Sequence, residues 1–361
     1  MARGGRRIVI TGISGHWAGE LARRLERDPS VEFLAGIDTE PPSVELERTE
    51  LIEADIRNPL LARLLPSTEA DTVVHCGFLW YPARGKPDRV LHDINVIGAL
   101  QLLAACERTP TLRTVVARGS AAIYGSEGAA PFFFTEEMAR RYPLKTRFQR
   151  DVGELENYFD NFARRHPEVT CCMLRYQPEI GPDIRTPLVG YLSLPVVPTQ
   201  LGFDPRLQFV HSADATGALE AAVHNPVRGA VNVAPSGALS LSRILRAAGR
   251  PSVPIPHPLF GPALTQLGRQ LRLGGTYDDG VRLLRFGRGV DNTRLREEIG
   301  YQPEFDALGA VRDFADKSGG RRVARVPGPR DLVDALEGAA QRRRGEQGSP
   351  RRGSAAASSG R

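Results

Sequence analysis

Two glycines, Gly12 and Gly15, follow the apolar run Ile8-Val9-Ile10 and Thr11. A glycine at the first position permits a tight turn out of a strand. The second lets backbone N–H groups approach a pyrophosphate at the N-terminus of the helix that follows. Ser14, His16 and Trp17 occupy the same turn and share its candidate ligand. Asp38 closes the next strand pattern, 26 residues after Gly12. A carboxylate there accepts hydrogen bonds from both ribose hydroxyls and repels a 2′-phosphate, so the pattern favours NAD over NADP as the candidate cofactor.

Groups able to move a proton are scarcer. Lysine occurs only at Lys86, Lys145 and Lys317, which singles out Lys145, three residues after Tyr142. Pro143 disfavours a helical Tyr142. The pair is therefore either delivered into a site by a loop, or an exposed lysine beside a packing tyrosine. His211 is a candidate acid or a hydrogen-bonded histidine at a domain junction. Cys76, Cys106, Cys171 and Cys172 have no metal-ligand spacing and read as buried thiols.

The elements that must position these groups alternate. Strand patterns fall at residues 7–11, 32–37, 72–76, 114–117, 170–174 and 230–233, and helix patterns at 17–27, 60–65, 90–106, 152–165 and 214–223. Strands that are apolar throughout predict a parallel sheet covered on both faces, an α/β doubly wound fold. Residues 1–180 are expected to form mainly a dinucleotide-binding domain. Residues 181–326 read as a smaller lobe over the substrate, with returns to the sheet.

Residues 327–361 form a basic tail, expected to be disordered apart from a helix pattern near 331–340. The formal net charge is +6, and arginines crowd the chain after Gly319. No aromatic residue follows Phe314, which argues against a base-stacking surface for nucleic acid. No apolar run reaches the ~18–20 residues of a membrane span. The longest candidate, residues 187–203, is broken by Pro195 and Pro198. The basic start lacks a signal-like apolar stretch, so a cytoplasmic location is expected.

Further segments carry a family resemblance. Ala54-Asp55-Ile56-Arg57, Val73-Val74-His75-Cys76-Gly77, Asn95-Val96-Ile97-Gly98, Gly119-Ser120-Ala121-Ala122-Ile123-Tyr124-Gly125 and Asp291-Asn292-Thr293-Arg294-Leu295 occur in order, with Gly300-Tyr301 and Pro303 behind them. Over about 310 residues the chain resembles extended short-chain dehydrogenases/reductases, specifically the NAD-dependent epimerase/dehydratase group and its UDP-glucose 4-epimerase-like members. The resemblance implies a Rossmann-type fold, bound NAD and a nucleotide-sugar or related small-molecule substrate, with a homodimer as the candidate assembly. It places Asp55, Ile56, Cys76, Gly77 and Asn95 at the cofactor site, Asn95 by bracing the active-site strand, and makes Ser120 the catalytic serine.

The same resemblance exposes a gap. The family's proton-transferring tyrosine falls on Phe148, its lysine partner on Val152, and a substrate-contacting asparagine on Pro178. Loss of general acid/base help costs about 10²–10⁴ in rate. Two readings follow: an enzyme with an altered acid/base residue, for which Ser120, Tyr142 and Lys145 are the candidates, or a cofactor-binding regulator or scaffold without turnover.

Overall fold

Seven strands share one parallel sheet: β1 (Arg6–Thr11), β2 (Val31–Asp38), β3 (Glu50–Glu53), β4 (Thr72–His75), β5 (Thr114–Ser120), β6 (Thr170–Tyr176) and β7 (Gly229–Val233). Their order is β7-β6-β5-β4-β1-β2-β3, and every pairing is parallel. The computed structural model describes residues 5–80, 88–270 and 278–318. The basic tail and the helix pattern near 331–340 lie outside these residues.

Alternation along the strands sends apolar side chains to both faces. Ile8 and Ile10 join Val74, Val116 and Leu174 against helices α1 (His16–Leu25) and, later in the chain, Ser212–His224. Val9, Val73, Val115 and Ala117 face the opposite way, onto α2 (Leu61–Ser67), α3 (Ala99–Glu107) and α4 (Arg147–Arg165). Two buried layers at one sheet are what a doubly wound fold requires. β3 has no counterpart in the sequence reading: it is an edge strand with little burial, so it lacks the apolar run that marks the others.

Two boundaries matter for the site. α4 starts at Arg147, five residues before the sequence pattern suggested. Thr146 Oγ1 accepts from the Gln149 N–H at 3.1 Å and Gln149 Oε1 accepts from the Thr146 N–H at 3.3 Å, a reciprocal cap. Phe148 consequently sits in a helical first turn. The second boundary is continuity: Asp88–His92 passes through a π-helical segment, Asp93–Gly98, into α3. The stretch Arg89–Glu107 is long and apolar enough to cross a membrane, and half of it is buried inside the fold. This exceeds the sequence reading, which set the longest candidate at residues 187–203.

A third apolar cluster lies beyond the sheet and gathers Ile180, Leu188, Leu192, Phe209, Leu241, Phe260 and Phe314. Asp214 ties this part to the sheet. Its carboxylate accepts from the Tyr301 hydroxyl at 2.9 Å and from the backbone N–H groups of Glu304 and Phe305. Tyr301 lies over Gly217 so closely that a Cβ there would come within 2.3 Å of the hydroxyl oxygen. His211 resolves as the hydrogen-bonded alternative: it meets Asp313 at 3.1 Å, accepts from the Ala213 N–H and stacks on Phe305.

Candidate functional site

A cleft of about 430 Å³ crosses the C-terminal ends of β1, β2, β4 and β5, where open α/β sheets bind their ligands. Gly12 turns the chain out of β1 at φ +77°, and a Cβ there would lie 2.6 Å from the Gly77 backbone. Any side chain would close the cradle. Gly15 caps α1 without a side-chain hydrogen bond, which leaves first-turn N–H groups to face a ligand. Ser14, Gly15, Trp17 and Ala18 line this end together with Asp38, Asp55 and Ile56.

Asp38 is already engaged with its own chain. Oδ2 accepts from Ser14 N at 3.0 Å and Ser14 Oγ at 2.6 Å, and Oδ1 accepts from Thr39 N at 2.7 Å. These bonds point the carboxylate across the mouth of the glycine turn. Asp55 is held by Arg57 in the same way. Beneath the turn, His75 Nδ1 and Thr11 Oγ1 are 2.8 Å apart. Burial lowers the His75 pKa to about 4, so the ring is neutral at physiological pH.

The inner end of the cleft is different in kind. Trp17, Phe78 and Trp80 form its walls, and Arg118 and Glu179 belong to its lining. Arg118 donates to Glu179 Oε1 at 2.6 Å, with both side chains about 97–98% buried. The guanidinium carbon lies 4.1 Å from the Trp17 ring centre, 4.8 Å from Trp80 and 5.3 Å from Tyr176. Burial pushes the Glu179 carboxyl above its ordinary pKa, against the opposing pull of Arg118. Cys76 also lines this end, but burial pushes its thiol up to about 12, which leaves it protonated and unreactive.

Arg118 and Glu179 escaped the sequence reading. The available signal was an arginine inside a run of strand residues and a glutamate beginning the short strand Glu179–Ile180. A charge in a fully covered strand demands a partner, and one sequence gives no means of choosing it. Trp80, Arg185 and Thr186 line the cleft and were likewise missed.

Several predicted site residues take other positions. Phe148 packs its ring 5.9 Å from both Phe78 and Trp80, behind the inner wall, and Val152 is wholly buried. Ser120 is 1% exposed and its Oγ accepts from Ala122 N at 3.2 Å. Tyr142 donates its hydroxyl to the Ala129 carbonyl at 3.2 Å, and Lys145 pairs with Glu127 at 2.9 Å. None of these five lines the cleft. The structure does not bring Tyr142 and Lys145 to it because both are tied to the segment around residues 127–129. His16 sits edge-on to Trp17, outside the lining. Asn95 is buried and bonds both ways to the Leu79 backbone, at 2.7 and 2.8 Å, so it braces the loop that lines the cleft and does not face the cavity.

Comparisons with known proteins agree with this architecture. The profile of the NAD dependent epimerase/dehydratase family matches residues 8–234. Uncharacterized protein Rv0501 of Mycobacterium tuberculosis is 37% identical over 312 residues, covering 85% of this chain and 82% of its own length. Among solved structures, UDP-glucose 4-epimerase from Thermotoga maritima aligns with TM-score 0.66 at 17% identity, over 86% of this chain and 97% of its own. The NAD complex of dTDP-glucose 4,6-dehydratase from Bacillus anthracis aligns with TM-score 0.64 at 14% identity, over 88% and 98%. With most of the sheet and the glycine turn inside the matched region, this chain belongs to the NAD-dependent epimerase/dehydratase family.

Proposed function

We propose that the chain binds NAD along this cleft and acts on a nucleotide-sugar or related small molecule at its inner end, without the family's tyrosine–lysine proton transfer. The observation that carries this reading is the cleft itself: a glycine turn too close to Gly77 for any side chain, facing Asp38. Those residues fit the group. Gly12, Ser14, Gly15 and the start of α1 would hold the pyrophosphate, and Asp38 the adenosine ribose. When bound, NAD supplies hydride acceptance. The chain's own residues supply binding, orientation and, through the packed aromatic walls, exclusion of water. Arg185 and Thr186 extend the lining toward the third apolar cluster and are the natural contacts for a polar substrate.

A second reading, a non-catalytic NAD-binding regulator or scaffold, draws on one observation. Phe148 and Val152 offer neither a hydroxyl nor an ammonium, and Tyr142 and Lys145 are bonded elsewhere. Calorimetry with NAD and NADP tests the shared part, with NAD expected to bind tighter. Equal affinities remove Asp38 from its role. Turnover of UDP-glucose and UDP-galactose separates the two readings. Slow interconversion, about 10²–10⁴ below an intact site, supports the enzyme, and none at all under saturating NAD supports the regulator.

A further inference from the structure

Six of the ten large apolar side chains that stand exposed among the described residues fall in one part of the molecule: Phe132, Phe133, Leu201, Phe203, Val253 and Leu259. Single exposed apolar residues need no explanation, whereas a contiguous group marks a surface that something covers. Contacts between their segments make this group contiguous. The strands Val197–Gln200 and Ser252–Ile255 pair side by side, and just past their ends Leu201 N donates to Ile255 O at 2.9 Å. The helix His257–Gln270 follows and carries Leu259. Arg285 donates to His257 at 2.6 Å, and its guanidinium carbon lies 5.0 Å from the Phe203 ring centre and 4.8 Å from that of Phe286. Next along the face, Arg206 O accepts from Arg288 N, and the Arg206 guanidinium carbon lies 4.7 Å from the Phe132 ring centre.

The charge around this face has one sign. Residues 229–270 contain four arginines and no Asp or Glu. Asp204 is the only carboxylate between residues 184 and 213, and its two oxygens accept from Ser242 N and Ser242 Oγ. Arg206 and Arg243 are exposed. Apolar side chains set among arginines bind a lipid surface by two additive terms, the apolar area that enters it and the attraction of the cations to anionic headgroups. We propose that this outer face of the lobe docks on an anionic lipid surface, with Leu201, Phe203 and Leu259 entering the headgroup layer and Arg206, Arg243 and Arg285 meeting lipid phosphates. The chain then lies on the surface and does not cross it.

Other occupants fit this face less well. A second copy of the chain would set the same arginines against each other, and like charges facing across an interface oppose association. Single-stranded nucleic acid stacks its bases on open aromatic rings. Here Phe132 and Phe203 already carry guanidiniums on their faces, and the exposed aliphatic side chains would find no partner in a base or a phosphate. The chain beyond residue 318 is itself rich in arginine, so it shares the sign of the face and is drawn to the same anionic lipid.

The test sediments the full-length protein with vesicles of phosphatidylcholine alone and of phosphatidylcholine with about one-third phosphatidylglycerol. The anionic vesicles should bind it at least about 10-fold tighter, and salt at about 0.5 M should weaken that binding. Leu201→Ser combined with Phe203→Ser keeps every arginine and should lower binding to the anionic vesicles by at least about 10-fold. Leu201→Trp gives a second readout that does not depend on the double variant folding. Its emission should shift to shorter wavelength on anionic vesicles, whereas that of the wild type, whose two tryptophans line the cleft, should not. Equal binding by the double variant and the wild type overturns the proposal, because the arginines alone would then carry the attraction. Absence of the emission shift overturns it as well. So does a protein that ignores both vesicles while the double substitution abolishes self-association or binding of a single-stranded oligonucleotide, which gives the face to that occupant instead.

Discussion

At the glycine turn, recognition is made from backbone: Gly12 at φ +77°, Gly15 at a helix start, and a single carboxylate, Asp38, whose bonds aim it over the turn. At the inner end the same cleft is lined by long side chains, with Arg118 stacked by two indoles and paired to Glu179. The first arrangement depends on what is missing, since one Cβ would fill it. The second depends on what is present, since removing one partner strands the other. A site assembled from backbone tolerates little variation in its own residues, whereas side chains can be exchanged. Phe148, the residue that the resemblance sets at the family's tyrosine, packs behind this inner end against Phe78 and Trp80.

The largest effect should come from breaking the inner end. Arg118→Met leaves the Glu179 carboxylate buried without a partner, a loss of about 3–5 kcal/mol. That should lower the melting temperature by roughly 10 °C. Arg118→Met with Glu179→Met replaces the pair by apolar groups and should recover most of the loss. Thermal unfolding of the wild type, both single variants and the double variant completes the cycle. Additive losses would mean that the two charges do not depend on each other, and the contrast between the two ends would fail.

The sheet was legible in the sequence because its strands are apolar on both faces, and such runs admit few other readings. Gly12, Asp38 and Cys76 could be expected at the cleft they line because each stands at the end of a strand, where open α/β sheets bind their ligands. β3 was not found, because an edge strand with mostly exposed side chains has no apolar run to betray it. The start of α4 was also set too late: the apolar pattern begins at Val152, whereas the helix is fixed by the cap at Thr146. At the inner end the limit was of another kind. Arg118 and Glu179 are 61 positions apart, and only the spatial order of strands makes them neighbours. Lys145 drew attention through scarcity alone, and its partner Glu127 was no easier to foresee.

A smaller effect probes the floor beneath the glycine turn. His75 has a pKa of about 4 when folded against 6.5 as its ordinary value. The unfolded chain therefore binds more protons between those limits. The stabilisation is fully present above about pH 6.5 and is lost as pH falls toward 4, a change of about 3 kcal/mol from this one group. Melting temperatures measured from pH 7.5 to 4.5 should decline, and His75→Gln should flatten part of that decline. An unchanged slope in the variant would move the acid sensitivity to other groups and leave the floor of the cradle uninvolved.

The smallest effect tests whether Asp38 selects the cofactor or only shapes the turn. Its oxygens already accept from Ser14 and Thr39, so Asp38→Ala confuses two losses, the ribose contact and the turn geometry. Asp38→Asn separates them, since one amide oxygen can still accept from Ser14 while the negative charge is gone. With Asp38 as the selector, Asp38→Asn should weaken NAD by about 10-fold and should leave NADP unchanged or bind it tighter, because a 2′-phosphate no longer meets a carboxylate. With a purely structural Asp38, both cofactors should weaken together in Asp38→Ala and neither should change much in Asp38→Asn. Calorimetric affinities for the two cofactors across the wild type and both variants decide the matter. The outcome also sharpens the comparison of the two ends, because a selector at Asp38 would place one charged group with a ligand-directed role at the end otherwise built from backbone.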